Sequence, residues 1–99
     1  MSLTTTATAD GTTSAIHATD EQVNGSQWVA NITATTWGAS TVATLQQSYD
    51  GSTRWSTVKT LNGDVAVSAN EGFVVPANLY YRLSVASYSG SAGLQLELF

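Results

Sequence analysis

Over residues 80–88 the side chains alternate one for one. Tyr81, Leu83 and Val85 fall on one face, and Tyr80, Arg82, Ser84 and Ala86 fall on the other. A period of two marks a strand with one buried face, because successive side chains of extended backbone point to opposite sides. The same rule sorts 27–35 into Trp28, Ala30, Ile32 and Ala34 against Val29, Asn31, Thr33 and Thr35. It sorts 41–49 into Ala43, Leu45, Gln47 and Tyr49 against Val42, Thr44, Gln46 and Ser48. Leu94, Leu96 and Leu98 make a last one-faced run. Weaker runs cover 12–17 and 55–59. Val65 and Val67 share parity with Phe73 and Val75 across Asn70-Glu71-Gly72, which predicts two short strands closed by Pro76.

Turn signals separate these runs: Asn24-Gly25-Ser26, Asp50-Gly51-Ser52-Thr53, Asn62-Gly63 and Ser89-Gly90-Ser91. Asp-Gly is the strongest of them, since hairpin turns demand positive φ angles. No stretch has helical periodicity. The expectation is an all-β fold, a single β-sandwich of about eight antiparallel strands. Alternation alone does not separate jelly-roll from immunoglobulin-like topology, and the Cys-Trp-Cys pattern of the latter is absent. A jelly-roll-like sandwich is the reading taken.

Ninety-nine residues suffice for one core. That core is expected over 12–99. Residues 1–11, mostly Thr and Ala with a single leucine, predict a polar N-terminal arm that could order on a neighbour by strand addition. Only 10% of residues are charged, against roughly 25% in an average soluble domain. Fifteen threonines and twelve serines supply the polarity instead, and β-branched Thr suits a half-wet pleated surface. Three basic against seven acidic residues argue against nucleic acid as a partner. With no cysteine, the chain has neither disulfides nor thiol chemistry. No run approaches the roughly 20 apolar residues of a membrane span, and no signal peptide is expected from Met1-Ser2-Leu3-Thr4-Thr5-Thr6.

Catalysis is not expected. His17 is the only histidine and reads as a solvated or edge-strand residue, and Asp10, Asp20, Glu21, Asp50, Asp64 and Glu71 fall mainly in turns, where carboxylates serve backbone geometry. No cofactor or metal is expected either. The aromatic residues divide by position. Trp28 shares a face with Ile32 and belongs to the core. Trp55 follows the Asp-Gly turn and should pack across its hairpin. Trp37, beside Gly38, suits packing or an interface equally. Tyr80, Arg82 and Tyr88 share the wetter face of their strand, a composition found both at interfaces and on ordinary sheet faces. Phe99 must close the core or enter an interface. The interface candidates are therefore Leu3, Trp37, Tyr80, Arg82, Tyr88 and Phe99.

Two segments carry a family likeness: Ser48-Tyr49-Asp50-Gly51-Ser52-Thr53-Arg54-Trp55, and the stretch Phe73-Val74-Val75-Pro76-Ala77-Asn78-Leu79-Tyr80-Tyr81-Arg82-Leu83-Ser84-Val85. A strand ending in Ser-x-Asp-Gly, a Trp opening the next strand and a later Val-Pro-Ala-x-x-Tyr-x-Arg-Leu-x-Val run resemble small all-β virion proteins of tailed bacteriophages. The decoration, or cement, proteins of the capsid surface are the nearest in kind. The likeness spans roughly residues 40–99, and a Trp hairpin with a Pro-Ala turn also occurs in other viral and carbohydrate-binding sandwiches. The glycine usual after Pro-Ala is Asn78 here, and asparagine tolerates the same left-handed backbone. The resemblance implies a structural protein made in a bacterial cytoplasm and located on the virion capsid surface. It also implies the major capsid protein as partner and a homo-oligomer, typically a homotrimer. The alternatives are a tail or head-fibre component, and a carbohydrate-binding module that stacks sugars on Trp37, Trp55 or the outward tyrosines.

Overall fold

Alternating burial organises the chain into strands. The computed structural model of the protein describes residues 3–19, 27–62 and 71–98. Among the described residues nine strands run in chain order: β1 (Leu3–Thr6), β2 (Gly11–Thr12), β3 (Ile16–Ala18), β4 (Gln27–Thr33), β5 (Val42–Ser48), β6 (Ser56–Asn62), β7 (Glu71–Pro76), β8 (Leu79–Ala86) and β9 (Gln95–Leu98). Four form one sheet in the order β1-β9-β4-β7. Five form the other, β8-β5-β6 with both β2 and β3 on the far side of β8. All pairings are antiparallel.

The pairs β1·β9, β3·β8, β4·β7 and β5·β6 nest inside one another along the chain. The chain is thus one long hairpin, bent at the turn between β5 and β6, and then rolled so that alternate strand pairs fall in opposite sheets. That is a jelly roll. β2 and β3 are one interrupted strand, because both pair with β8. At the interruption Thr13 donates its N–H to the Leu83 carbonyl (2.9 Å) and accepts the Leu83 N–H on Oγ1 (3.0 Å). A side-chain oxygen stands in for a ladder carbonyl there.

The two inner faces meet in one core. Trp28, Ala30 and Ile32 of β4, with Val75 of β7 and Leu96 and Leu98 of β9, face Ala43 and Leu45 of β5 and Tyr81, Leu83 and Val85 of β8. Each large aliphatic side chain buried this way contributes about 1.5–3 kcal/mol relative to exposure. Tyr81 is fully buried, yet its hydroxyl donates to the Pro76 carbonyl at 2.8 Å, tying β8 to the end of β7 where the chain crosses between sheets. Burial pushes the Tyr81 pKa up to about 12. Asn78 makes the crossover turn with φ 68°, the left-handed backbone expected of it, and donates its N–H to the Ala18 carbonyl.

The structure differs from the sequence reading at several points. The expected arm over 1–11 contains β1, an edge strand paired residue for residue from Leu3↔Leu98 to Thr6↔Gln95 and prolonged by Ala7 N–H to the Leu94 carbonyl. Its inward positions are Leu3, Thr5 and Ala7, so a buried threonine (7% exposed) hides the alternation. Tyr49, sorted with Ala43 and Leu45, is 84% exposed because β5 ends at Ser48. The run over 80–88 stops at Ala86, where Ser87 turns left-handed at φ 56°. The expected strand at Val65 and Val67 and the turns at Asn24-Gly25-Ser26 and Asn62-Gly63 lie outside the described residues, wholly or in part.

Candidate functional site

The outward face of β8 carries the most built arrangement of side chains. It starts from register. Tyr80 stands opposite His17 on β3 and opposite Ser48 on β5, while Arg82 stands opposite Gln46 on β5. Directly opposed residues on antiparallel strands share a face and touch. His17 and Tyr80 accordingly stack, with ring centroids 4.2 Å apart and planes 9° from parallel. Arg82 Nε donates to Gln46 Oε1 at 2.8 Å. Its guanidinium carbon lies 4.0 Å from the centre of the Trp55 ring. A cation held over an indole this way is worth roughly 0.5–2 kcal/mol, more as water is excluded. Partial burial lowers the Arg82 pKa, although guanidinium stays charged across the physiological range.

The turn from β5 to β6 completes the arrangement. The Asp50 carboxylate accepts from the Ser52 and Thr53 N–H groups at 3.0 and 2.9 Å, and from the Thr53 and Ser48 hydroxyls at 2.6 and 2.9 Å. Those bonds, the Thr53 hydroxyl first, hold its pKa well below the usual carboxylate range. Ser48 is buried because this turn folds over it; its hydroxyl also accepts the Gly51 N–H at 3.1 Å. Gly51 has φ +78° and lies against the Tyr80 ring, so close that a Cβ would come within 2.8 Å of Cδ2. The turn therefore seats Tyr80, and the strand after it brings Trp55 under Arg82. An extra residue in β6, Val58, separates the Leu45↔Lys59 and Gln46↔Thr57 pairs. Bulges of this kind re-aim neighbouring side chains.

Of the interface candidates, Tyr80 and Arg82 are brought together here. Leu3, Trp37 and Tyr88 are partly buried and pack against the core. Trp37 and Tyr88 belong to the opposite end of β8, where Thr36 bridges to Ala92 and Gly38 N–H donates to the Ser91 hydroxyl at 2.9 Å. Phe99 lies outside the described residues. Sequence reasoning left His17, Gln46 and Gly51 out of the cluster. Their signal was the pairing of β3 and β5 with β8, which alternation does not reveal. Trp55, expected to pack across its own hairpin, instead reaches Arg82 on β8, and Trp28 is fully buried. The indole Nε1 atoms of Trp37 and Trp55 are enclosed with no hydrogen-bond partner among the described residues. No group of three or more His, Asp or Glu side chains among the described residues stands close enough to hold a metal ion.

No protein-family model, no curated protein and no solved structure matches this chain. Its architecture is read from its own strand order, and its function from this face.

Proposed function

We propose that the chain is a non-enzymatic structural protein of a tailed-phage virion, which binds the outer capsid surface through the major capsid protein and stabilises the assembled head. On this reading it is made in the host bacterial cytoplasm and acts on the shell as a homo-oligomer, a trimer by the family likeness. One observation carries the proposal. The two segments that resemble decoration proteins, far apart in the chain, converge on a single outward face, with Gly51 against Tyr80 and Trp55 beneath Arg82. Trp, Tyr and Arg held rigid before contact are the residues that dominate protein–protein affinity, because little side-chain entropy remains to be lost.

Neighbouring side chains already cover ring faces in the cluster. His17 lies on the Tyr80 ring and Arg82 on the Trp55 ring. A sugar platform needs open ring faces, so the arrangement favours a protein partner over a carbohydrate. Stabilisation would follow mass action: a protein that binds only the assembled shell favours it by RT ln(1 + [L]/Kd), about 2.7 kcal/mol per site at a hundredfold excess over Kd. The test is thermal rupture of undecorated heads with and without saturating protein. A raised rupture temperature is expected, and an unchanged one contradicts the proposal. Association with isolated tails instead of heads would point to the tail or fibre alternative.

A further inference from the structure

A sheet edge exposes backbone N–H and C=O groups that can take up another strand. Among the described residues the edges are β1 and β7 in one sheet, and β6 and the interrupted strand β2–β3 in the other. Three of these edges carry devices that discourage pairing with a further chain. β7 begins at the charged Glu71 and ends at Pro76, which has no N–H. β6 holds the bulge at Val58 and a charged residue, Lys59, set opposite the core residue Leu45. β2 and β3 are two and three residues long, with a break between them. β1 is different: Leu3-Thr4-Thr5-Thr6 is unbroken, uncharged and free of proline, and Ala7 prolongs its ladder.

Register shows which groups of β1 are open. On antiparallel strands the hydrogen-bonded pairs recur at every second residue. The bond from Ala7 N–H to the Leu94 carbonyl fixes the phase, so Leu3, Thr5 and Ala7 exchange bonds with β9. The N–H and C=O groups of Thr4 and Thr6 point away from β9, and no other described strand pairs with β1. Those groups are self-complementary about a two-fold axis perpendicular to the sheet. With Thr5 facing Thr5 of a second copy across the axis, Thr4 stands opposite Thr6 of that copy, and Thr6 opposite its Thr4. Each of these pairs exchanges two N–H···O bonds, and threonines directly opposite one another pair well on a sheet face.

Charge and burial select the same edge. The chain carries a net charge of −4, so two copies repel over most of their surface. Residues 3–9 carry no charge, so no like charges stand opposite one another on the paired β1 strands. Glu97, opposite Thr4 on β9, stays one strand back from the contact. Leu3 on β1 and Ile16 on β3 beside it are only partly buried, and a second copy would cover both.

We propose that the outer edge of β1 docks the same edge of a second copy of this chain, joining the two four-stranded sheets into one continuous sheet. The contact is isologous and closes on itself. It goes beyond the virion reading and does not depend on it; on a shell it would join copies that belong to neighbouring three-fold clusters.

The experiment is sedimentation velocity of the full chain over a rising concentration series, with amide hydrogen exchange measured at both ends of the series. A monomer–dimer equilibrium is expected, with the Thr4 and Thr6 amides exchanging at least tenfold more slowly where the dimer prevails. Thr4→Pro deletes an N–H that β9 does not use, at an edge position where proline is tolerated. Thr4→Lys/Thr6→Lys changes two exposed side chains and sets like charges opposite one another across the axis. Both variants should melt cooperatively when dilute, as the parent does, and each should weaken the dimer about tenfold or more, the effect of losing two backbone hydrogen bonds. A chain that stays at 10.4 kDa up to about 1 mM overturns the proposal. So does an oligomer that both variants leave intact, or a dimer whose Thr4 and Thr6 amides exchange as fast as the monomer's. Binding to heads, present or absent, decides the virion reading alone.

Discussion

Gly51 is the residue on which the outward face depends most. Its φ of +78° lies where L side chains are strained, and a Cβ there would meet the Tyr80 ring at 2.8–3.0 Å. Gly51→Ala should therefore destabilise the fold by roughly 1–3 kcal/mol, the usual cost of a non-glycine residue in such backbone. It should also unseat Tyr80 from His17. Urea unfolding measures the first effect and the ring-current shift of the His17 resonances the second; an alanine variant as stable as the parent would show that the turn does not seat the ring. Tyr81 makes the opposite kind of prediction, because it is buried and neutral. Its pKa is raised from 10.0 to about 12, so between those values the folded chain holds a proton that the unfolded chain releases. Stability is then full below pH 10 and falls as pH rises toward 12. Tyr81→Phe removes that slope while losing the bond to Pro76, at a cost of about 1 kcal/mol at neutral pH. Unfolding midpoints compared between pH 9 and 11.5 should converge as the pH rises and cross between about pH 10.5 and 11. Parallel curves would contradict the account.

At the scale of elements, β1 is where the sequence said least. Its inward residues are Leu3, Thr5 and Ala7, and only the first is a strong hydrophobe. Pairing with β9, about ninety positions away, orders it. Removing residues 1–8 should strip the β9 edge of its ladder bonds and lower stability by about 2–4 kcal/mol, or roughly 10–25 °C in Tm. A truncated chain with unchanged Tm would mean that the segment is an arm after all. β8, by contrast, was legible throughout, because Tyr81, Leu83 and Val85 alternate with polar neighbours and every inward position is filled by a large side chain. β5 was legible as far as Leu45. Beyond it the buried Ser48 is enclosed by a turn rather than by the core, which no hydrophobic pattern signals. The outward cluster was half legible for a related reason. Tyr80 and Arg82 are visible on one strand, but His17, Gln46 and Gly51 reach them only through the lateral order of strands.

At the scale of the whole molecule, nested pairing makes most contacts long-range, and β1 cannot close until β9 is present. Chains of this kind fold slowly, since loop-closure entropy is lost before the contacts form. The result is a sandwich with two unlike outer surfaces. One of them bears the rigid Trp55–Arg82 and His17–Tyr80 pairs. On the reading proposed here, that surface meets the shell. Cosedimentation of the protein with undecorated heads, with isolated tails run alongside, tests this most directly. The account predicts saturable binding to heads and a fixed number of copies per capsomer. Protein that stays in the supernatant with heads, at concentrations where it is folded, would contradict it.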